Sequence, residues 1–128
     1  MVEVVVPLKD DVQTAVPHVW RDALAAIVDS LVQGDARIGQ GIANVEPVSE
    51  ERSNLCREIV ANYGSATLIR LPEATWNSSV ARWQGDRWDC LVDLWTAEDG
   101  RSDLVLELAV FEDRETGFHY RPQLVYVP

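Results

Sequence analysis

The run of residues 88–111, WDCLVDLWTAEDGRSDLVLELAVF, constrains the fold more than any other part of the chain. Apolar and polar residues alternate on either side of a Glu-Asp-Gly segment. A period of two interrupted by a glycine predicts two long strands joined by a tight turn. One face of this hairpin reads as apolar, with Cys90, Val92 and Leu94 set against Leu104, Leu106 and Leu108. The opposite face gathers Asp89, Asp93, Trp95, Asp103 and Glu107, with Leu91, Val105 and Phe111 between them. Residues 86–115 hold ten Asp or Glu and three Arg, so they carry −7 of the formal −10. An acidic sheet face is the main clue to function.

The turns predict a register. A two-residue turn at Gly85 and Asp86 sets Trp83 opposite Trp88, Arg82 opposite Asp89 and Ala81 opposite Cys90. That places an aromatic pair on one face and an opposite-charge pair on the other. A three-residue loop, Glu98-Asp99-Gly100, with Gly100 left-handed, sets Leu94 opposite Leu104, Val92 opposite Leu106 and Cys90 opposite Leu108. A slip by one residue would mix the two faces, so the apolar set itself favours this alignment.

Upstream the period is helical. In residues 14–33, Val16, Val19, Trp20, Leu24, Ile27, Val28, Leu31 and Val32 recur at spacings of three and four, with Thr14 or Asp11 as a cap, Pro17 in the first turn and Gly34 as the stop. Residues 35–48 read as a loop. Ser49 then caps a second helix with Glu50 and Glu51 in its first turn, Leu55, Cys56, Ile59 and Val60 as its apolar stripe, and Gly64 closing it. Strands are predicted over 66–71, 76–83, 87–96, 101–111 and 118–127, with Pro122 making the last an edge or broken strand. The expectation is one α+β domain over residues 1–128, helical over 11–64 and sheet over 65–128. Its two N-terminal helices pack on one face of a four- to five-stranded antiparallel sheet.

Composition narrows the function. With 128 residues, 47% hydrophobic and 25% charged, the chain is expected to fold alone. A net charge of −10 repels nucleic acid and anionic membrane and attracts basic partners. Cys56 and Cys90 both lie in apolar periodic segments and read as buried reduced thiols. The opening MVEVVVPLK lacks the pattern of a secretory leader, and no run reaches the length of a membrane span, which points to the cytoplasm. Asn77-Ser78-Ser79 matches a glycosylation acceptor, read as chance without a secretion signal.

No catalytic constellation is legible. His18 and His119 stand apart from each other and from the cysteines, so neither a metal site nor a cofactor is expected. Asp93 with Glu107, or Glu98 with Asp103, could form an acid/base pair or a divalent-cation site, but carboxylates on an open face read more simply as solvated charge balanced by Arg82 and Arg101. Trp20 and Trp88 read as core, Trp83 as stacking beside Trp88, and Trp76 and Trp95 as less constrained and open to exposure. The residues expected to contact a partner are Asp89, Asp93, Trp95, Glu98, Asp99, Arg101, Asp103 and Glu107, an acidic surface edged by an aromatic and an arginine. The alternative is a pocket between helices and a curved sheet, lined by Trp20, Trp88, Cys90 and Tyr120, which would serve a small-molecule module or an enzyme.

Residues 88–104, from Trp88 through Thr96 and Gly100 to Leu104, resemble a family of small uncharacterised bacterial domains with the approximate signature W-x-V-D-V-x-L-W-T-x-E-E-G-R-S-D-L; Cys90 and Asp99 are conservative departures from it. The stretches LVQGD and IVANYG extend the likeness over residues 20–111. That resemblance implies no catalytic residues. In type rather than motif, a small acidic α+β chain is similar to immunity proteins, including those of contact-dependent growth inhibition systems. What that likeness implies is a basic protein partner, a toxin domain, whose nucleic-acid-binding groove the carboxylates would occupy.

Overall fold

The computed structural model describes residues 8–64, 66–115 and 117–128. The opening stretch read above for targeting lies mostly in residues 1–7, outside them. The fold is α+β, with strand β1 (Thr14–Ala15), helix α1 (His18–Gln33), helix α2 (Glu50–Ala61), a 3-10 helix (Glu73–Asn77), and strands β2 (Val80–Trp83), β3 (Trp88–Thr96), β4 (Gly100–Asp113) and β5 (Gly117–Tyr126). The strands form one antiparallel sheet in chain order, β1-β2-β3-β4-β5. Among the described residues, no helix is long and apolar enough to cross a membrane.

Both helices form where their periods predict them, but Val19 and Leu55 of the predicted stripes are exposed, and α2 buries Ser53 beside Cys56 instead. Trp20, Leu24, Ile27, Val28 and Leu31 form the buried stripe of α1, and Gly34 ends it in the left-handed conformation that lets its N–H reach the Leu31 carbonyl. The predicted caps at Thr14 or Asp11 are not used: Pro17 is the N-cap, and Thr14 belongs to β1. Proline's fixed φ suits a helix entrance, where its missing N–H costs nothing. In α2 the Ser49 hydroxyl accepts the Arg52 N–H, as predicted, and Asn62 is the C-cap with Gly64 two residues beyond.

The register between β2 and β3 is the predicted one: Trp83 pairs with Trp88, Arg82 with Asp89 and Ala81 with Cys90. Trp83 and Trp88 meet with ring centroids 4.6 Å apart. Between β3 and β4, Cys90 pairs with Leu108 and Val92 with Leu106, but the predicted Leu94–Leu104 pair is replaced by a bulge. Trp95 pairs with Arg101 and Thr96 with Gly100, so the turn is one residue earlier than predicted and residues 102–104 lie opposite Leu94 alone. The cause is Ser102. Its buried hydroxyl donates to the Leu94 carbonyl (2.7 Å) and accepts the Leu104 N–H (3.1 Å), filling the gap in the ladder. The excess is two residues, so inner and outer faces keep their membership across it. Ser102→Ala strands both backbone groups and is expected to cost about 1–3 kcal/mol in urea unfolding; a loss under about 0.5 kcal/mol would show that the bulge does not depend on this hydroxyl.

Two predicted strands are corrected. Residues 66–71 make only the isolated bridge of Leu68 to Thr96, and the first part of 76–83 is the end of the 3-10 helix. Next to Asp93, side chains substitute for a neighbouring strand: Thr75 Oγ1 donates to the Asp93 carbonyl (2.8 Å) and Ser79 Oγ accepts its N–H (3.0 Å). With those ladder positions taken, a strand has nothing to pair with. Trp76 is correspondingly buried rather than exposed, with the Arg21 guanidinium 5.5 Å from its ring.

The loop after α1 has an order of its own. Val45 forms a parallel bridge with Tyr120, which places residues 44–46 along the outer edge of β5. Ser30 and Ser53 hold the approach, accepting the N–H groups of Gly39 and Ile38 at 2.9 and 3.0 Å. Pro122 lies in the edge strand β5, as predicted, beside a bulge at Gln123. The core joins the α1 stripe to Trp88, Cys90, Val92, Leu104, Leu106, Leu108, Phe118 and Val125 on the inner face of the sheet.

Candidate functional site

The alternation of β3 and β4 turns Asp89, Leu91, Asp93 and Trp95 to the opposite face, together with Val105, Glu107, Ala109 and Phe111. The bulge in β5 then adds Leu124 and Tyr126, which pair with Glu107 and Val105. Asp89, Leu91, Asp93, Glu107, Phe111, Leu124 and Tyr126 all keep solvent-accessible surface. At the centre Val105 and Ala109 are only 4% and 0% exposed. Their cross-strand neighbours explain this: Asp93 and Tyr126 flank Val105, while Asp89 and Arg121 flank Ala109. Longer side chains on either side roof over the smaller ones.

Leu91 pairs with Glu107, so Asp89 and Asp93 are the diagonal neighbours of Glu107 on this face. Diagonal residues lie about 7–8 Å apart, and the three carboxylates form a triangle on half-buried apolar ground. Asp89 is partly neutralised, though not by Arg82 as the register suggested. Its partner is Arg87, two residues back on the same face (3.1 Å), which also holds Asp86 (2.9 Å). Among the described residues, neither Asp93 nor Glu107 forms an ion pair. The Tyr126 hydroxyl is pushed up first by burial and then by the charges of Glu107 and Asp89.

The other four predicted contact residues gather at the β3–β4 turn. Glu98 is fully exposed and accepts the Thr67 N–H (2.7 Å), which holds its carboxyl below the usual range. A carboxylate with a depressed pKa favours the folded state above the ordinary glutamate range, and that contribution fades as pH falls through the folded value. Thus Glu98 is occupied in tying residues 66–68 to the turn. Asp99 donates its N–H to Thr96 Oγ1 (3.1 Å) and Asp103 donates its N–H to the Tyr63 hydroxyl (3.0 Å), leaving both carboxylates exposed. Arg101 is exposed opposite Trp95, and the half-buried Trp95 has a buried indole N–H without an acceptor among the described residues.

One cluster had no signal in the sequence. Glu46 meets Arg121 (2.6 Å) and His119 (3.8 Å) only because the Val45 bridge brings residues 75 and 73 positions apart together. Arg121 holds the Glu46 carboxyl below its ordinary range, and its guanidinium lies 4.8 Å from the Phe111 ring. The outer face is therefore polarised, acidic over β3 and β4 and mixed in charge over β5.

The residues of the alternative pocket are packed into the core. Trp20 and Cys90 are 0% exposed, and the Trp20 and Trp88 rings lie 5.2 Å apart. Burial pushes the Cys90 thiol up to about 12 and the Tyr120 hydroxyl to about 12. Cys90 is accordingly a neutral thiol at neutral pH, the inert form. A family model described as a domain of unknown function matches residues 28–128. No curated protein and no solved structure matches the chain.

Proposed function

Since the chain belongs to the DUF7668 family, a domain of unknown function, the chemistry of its surface is the guide to its role, and we propose that it is a non-catalytic cytoplasmic protein that captures a basic protein domain on the outer face of its sheet. The specific form of the proposal is an immunity protein that neutralises a cognate toxin domain, a nuclease.

The observation that carries this reading is the pair Asp93 and Glu107, two carboxylates without a cation partner among the described residues, on half-buried apolar ground. Lysines or arginines of a partner would pair with them, while Leu91, Phe111, Leu124 and Tyr126 supply the apolar area that holds an interface together. A nuclease presents such cations in the groove that binds phosphates. The net charge of −10 would also hasten encounter, which suits an inhibitor that must act before the toxin turns over. The close packing of Trp20 against Trp88 favours this reading over a ligand pocket at that place.

The test pairs the purified chain with the toxin domain encoded beside its gene. Calorimetry should give tight binding that weakens as salt rises. Reversing both charges, D93K with E107K, should weaken it about 100-fold and flatten the salt dependence, as the loss of two close charge pairs predicts. Circular dichroism should be unchanged, because the face lies outside the core. Unaltered affinity and salt slope in the double variant would place the interface elsewhere; no binding to that domain would end the immunity reading.

A further inference from the structure

We propose that a cavity at the start of α2, bounded by Arg37, Arg52 and Arg121, is a binding site for a phosphorylated small molecule. The cavity measures about 350 Å³, and Glu46 and Ser49 also line it. Its formation depends on the same loop that edges β5: residues 44–46 run beside Tyr120, which brings Arg37 and the first turn of α2 to Arg121.

Three arginines lining one cavity is the opposite of what this composition favours. With 21 acidic and 11 basic residues, each cation has a surplus of carboxylates to pair with, yet among the described residues Arg37 and Arg52 form no ion pair. Arg121 is neutralised within the cavity by Glu46. Two arginines without an ion pair among the described residues therefore line a common space.

Two of the three heads are also held in place. Arg37 donates from Nε to the Val48 carbonyl (3.1 Å) and from Nη2 to the Pro47 carbonyl (3.2 Å), which uses two of its five N–H groups and leaves the others. Arg121 is fixed by Glu46 and by the Phe111 ring. Arg52, exposed and without a side-chain partner among the described residues, has no such tie and is the arm that would close over an anion. Behind it, Ser49 Oγ satisfies the Arg52 N–H, while the N–H groups at Glu50 and Glu51 lie in the first turn, where no intrahelical acceptor exists.

Planar guanidiniums recognise a phosphate by paired hydrogen bonds, and three of them match its three terminal oxygens better than a single carboxylate. The overall charge of −10 excludes a long polyanion from this place, since every further phosphate adds repulsion. A space of about 350 Å³ accommodates a phosphate on a frame of a few carbons, which makes the ligand a phosphate monoester of sugar size or smaller.

The probe is glycerol 3-phosphate, with glycerol as its uncharged control, titrated at fixed ionic strength and followed by calorimetry and phosphorus NMR. Wild-type protein should bind the phosphate with Kd of about 1 mM or below and ignore glycerol. R52E should weaken binding at least ~10-fold, as expected for reversing one charge at a phosphate contact. It should fold normally, because an acid in the first turn of a helix is favourable. R82E, which removes an exposed guanidinium from the outer face of the sheet, should bind as wild type does. Absence of saturable binding to the wild-type chain would overturn the proposal. So would equal losses in R52E and R82E, which would reduce the effect to net charge, or an unaffected R52E.

Discussion

Replacing Trp20 with alanine is expected to destabilise the chain by about 3–5 kcal/mol, the largest single effect from a side chain in this core. Trp20 has no exposed surface. Its ring meets Trp88 at 5.2 Å and Phe118 at 5.5 Å, so it joins α1 to both β3 and β5. Truncation removes the apolar area and leaves a void that three separate elements would have to move to fill. The indole N–H of Trp20 is buried without an acceptor among the described residues. Phenylalanine, which retains most of the ring and has no such donor, should therefore restore most of the loss. Urea unfolding of the two variants at equal slope checks this. A cost below about 1 kcal/mol for the alanine variant would mean that the helix is held by something other than this contact.

Gly39→Ala is expected to cost about 3 kcal/mol, a large effect for one methyl group. Gly39 has a φ of +89°, and a Cβ there would stand 2.8 Å from Val45 Cγ1. Left-handed strain and overpacking each contribute on the order of 1–3 kcal/mol. Val45 cannot move aside freely, because it is buried and bridged to Tyr120. Gly41 is the control. Its φ is +75°, but a Cβ there meets nothing within 4 Å, so Gly41→Ala should cost only about 1 kcal/mol of backbone strain. Equal thermal shifts in the two variants would show that steric contact with Val45 adds nothing.

How far this architecture could be read in advance depended on whether local patterns carried the information. The Gly85-Asp86 turn set the β2–β3 register down to the Trp83–Trp88 pair because only one alignment keeps the apolar face continuous. The spacing of Trp20, Leu24, Ile27 and Leu31 was likewise a local signal for α1. The bulge opposite Leu94 was not legible, since it depends on where the Ser102 hydroxyl finds its carbonyl. Residues 66–71 and Trp76 misled for a related reason: they carry β-forming side chains, but Thr75 and Ser79 already occupy the ladder positions beside Asp93. Of the eight candidate contact residues, Asp89, Asp93, Trp95 and Glu107 share one face, and the other four surround the turn. The Glu46–Arg121 pair was invisible because a long-range parallel bridge alone creates it.

That bridge bears on how a second protein can engage the sheet. An outermost strand with unpaired backbone groups invites another chain to extend the ladder, the common route to fibrils and to recognition by strand addition. Here the Tyr120 N–H and carbonyl are already satisfied by Asn44 and Glu46, and β1 occupies the far side of β2. Backbone templating is blocked at those positions, so a partner of the kind proposed would have to be selected by side chains on the flat of the sheet. Such a surface can change its preference one substitution at a time while the scaffold beneath it stays as it is.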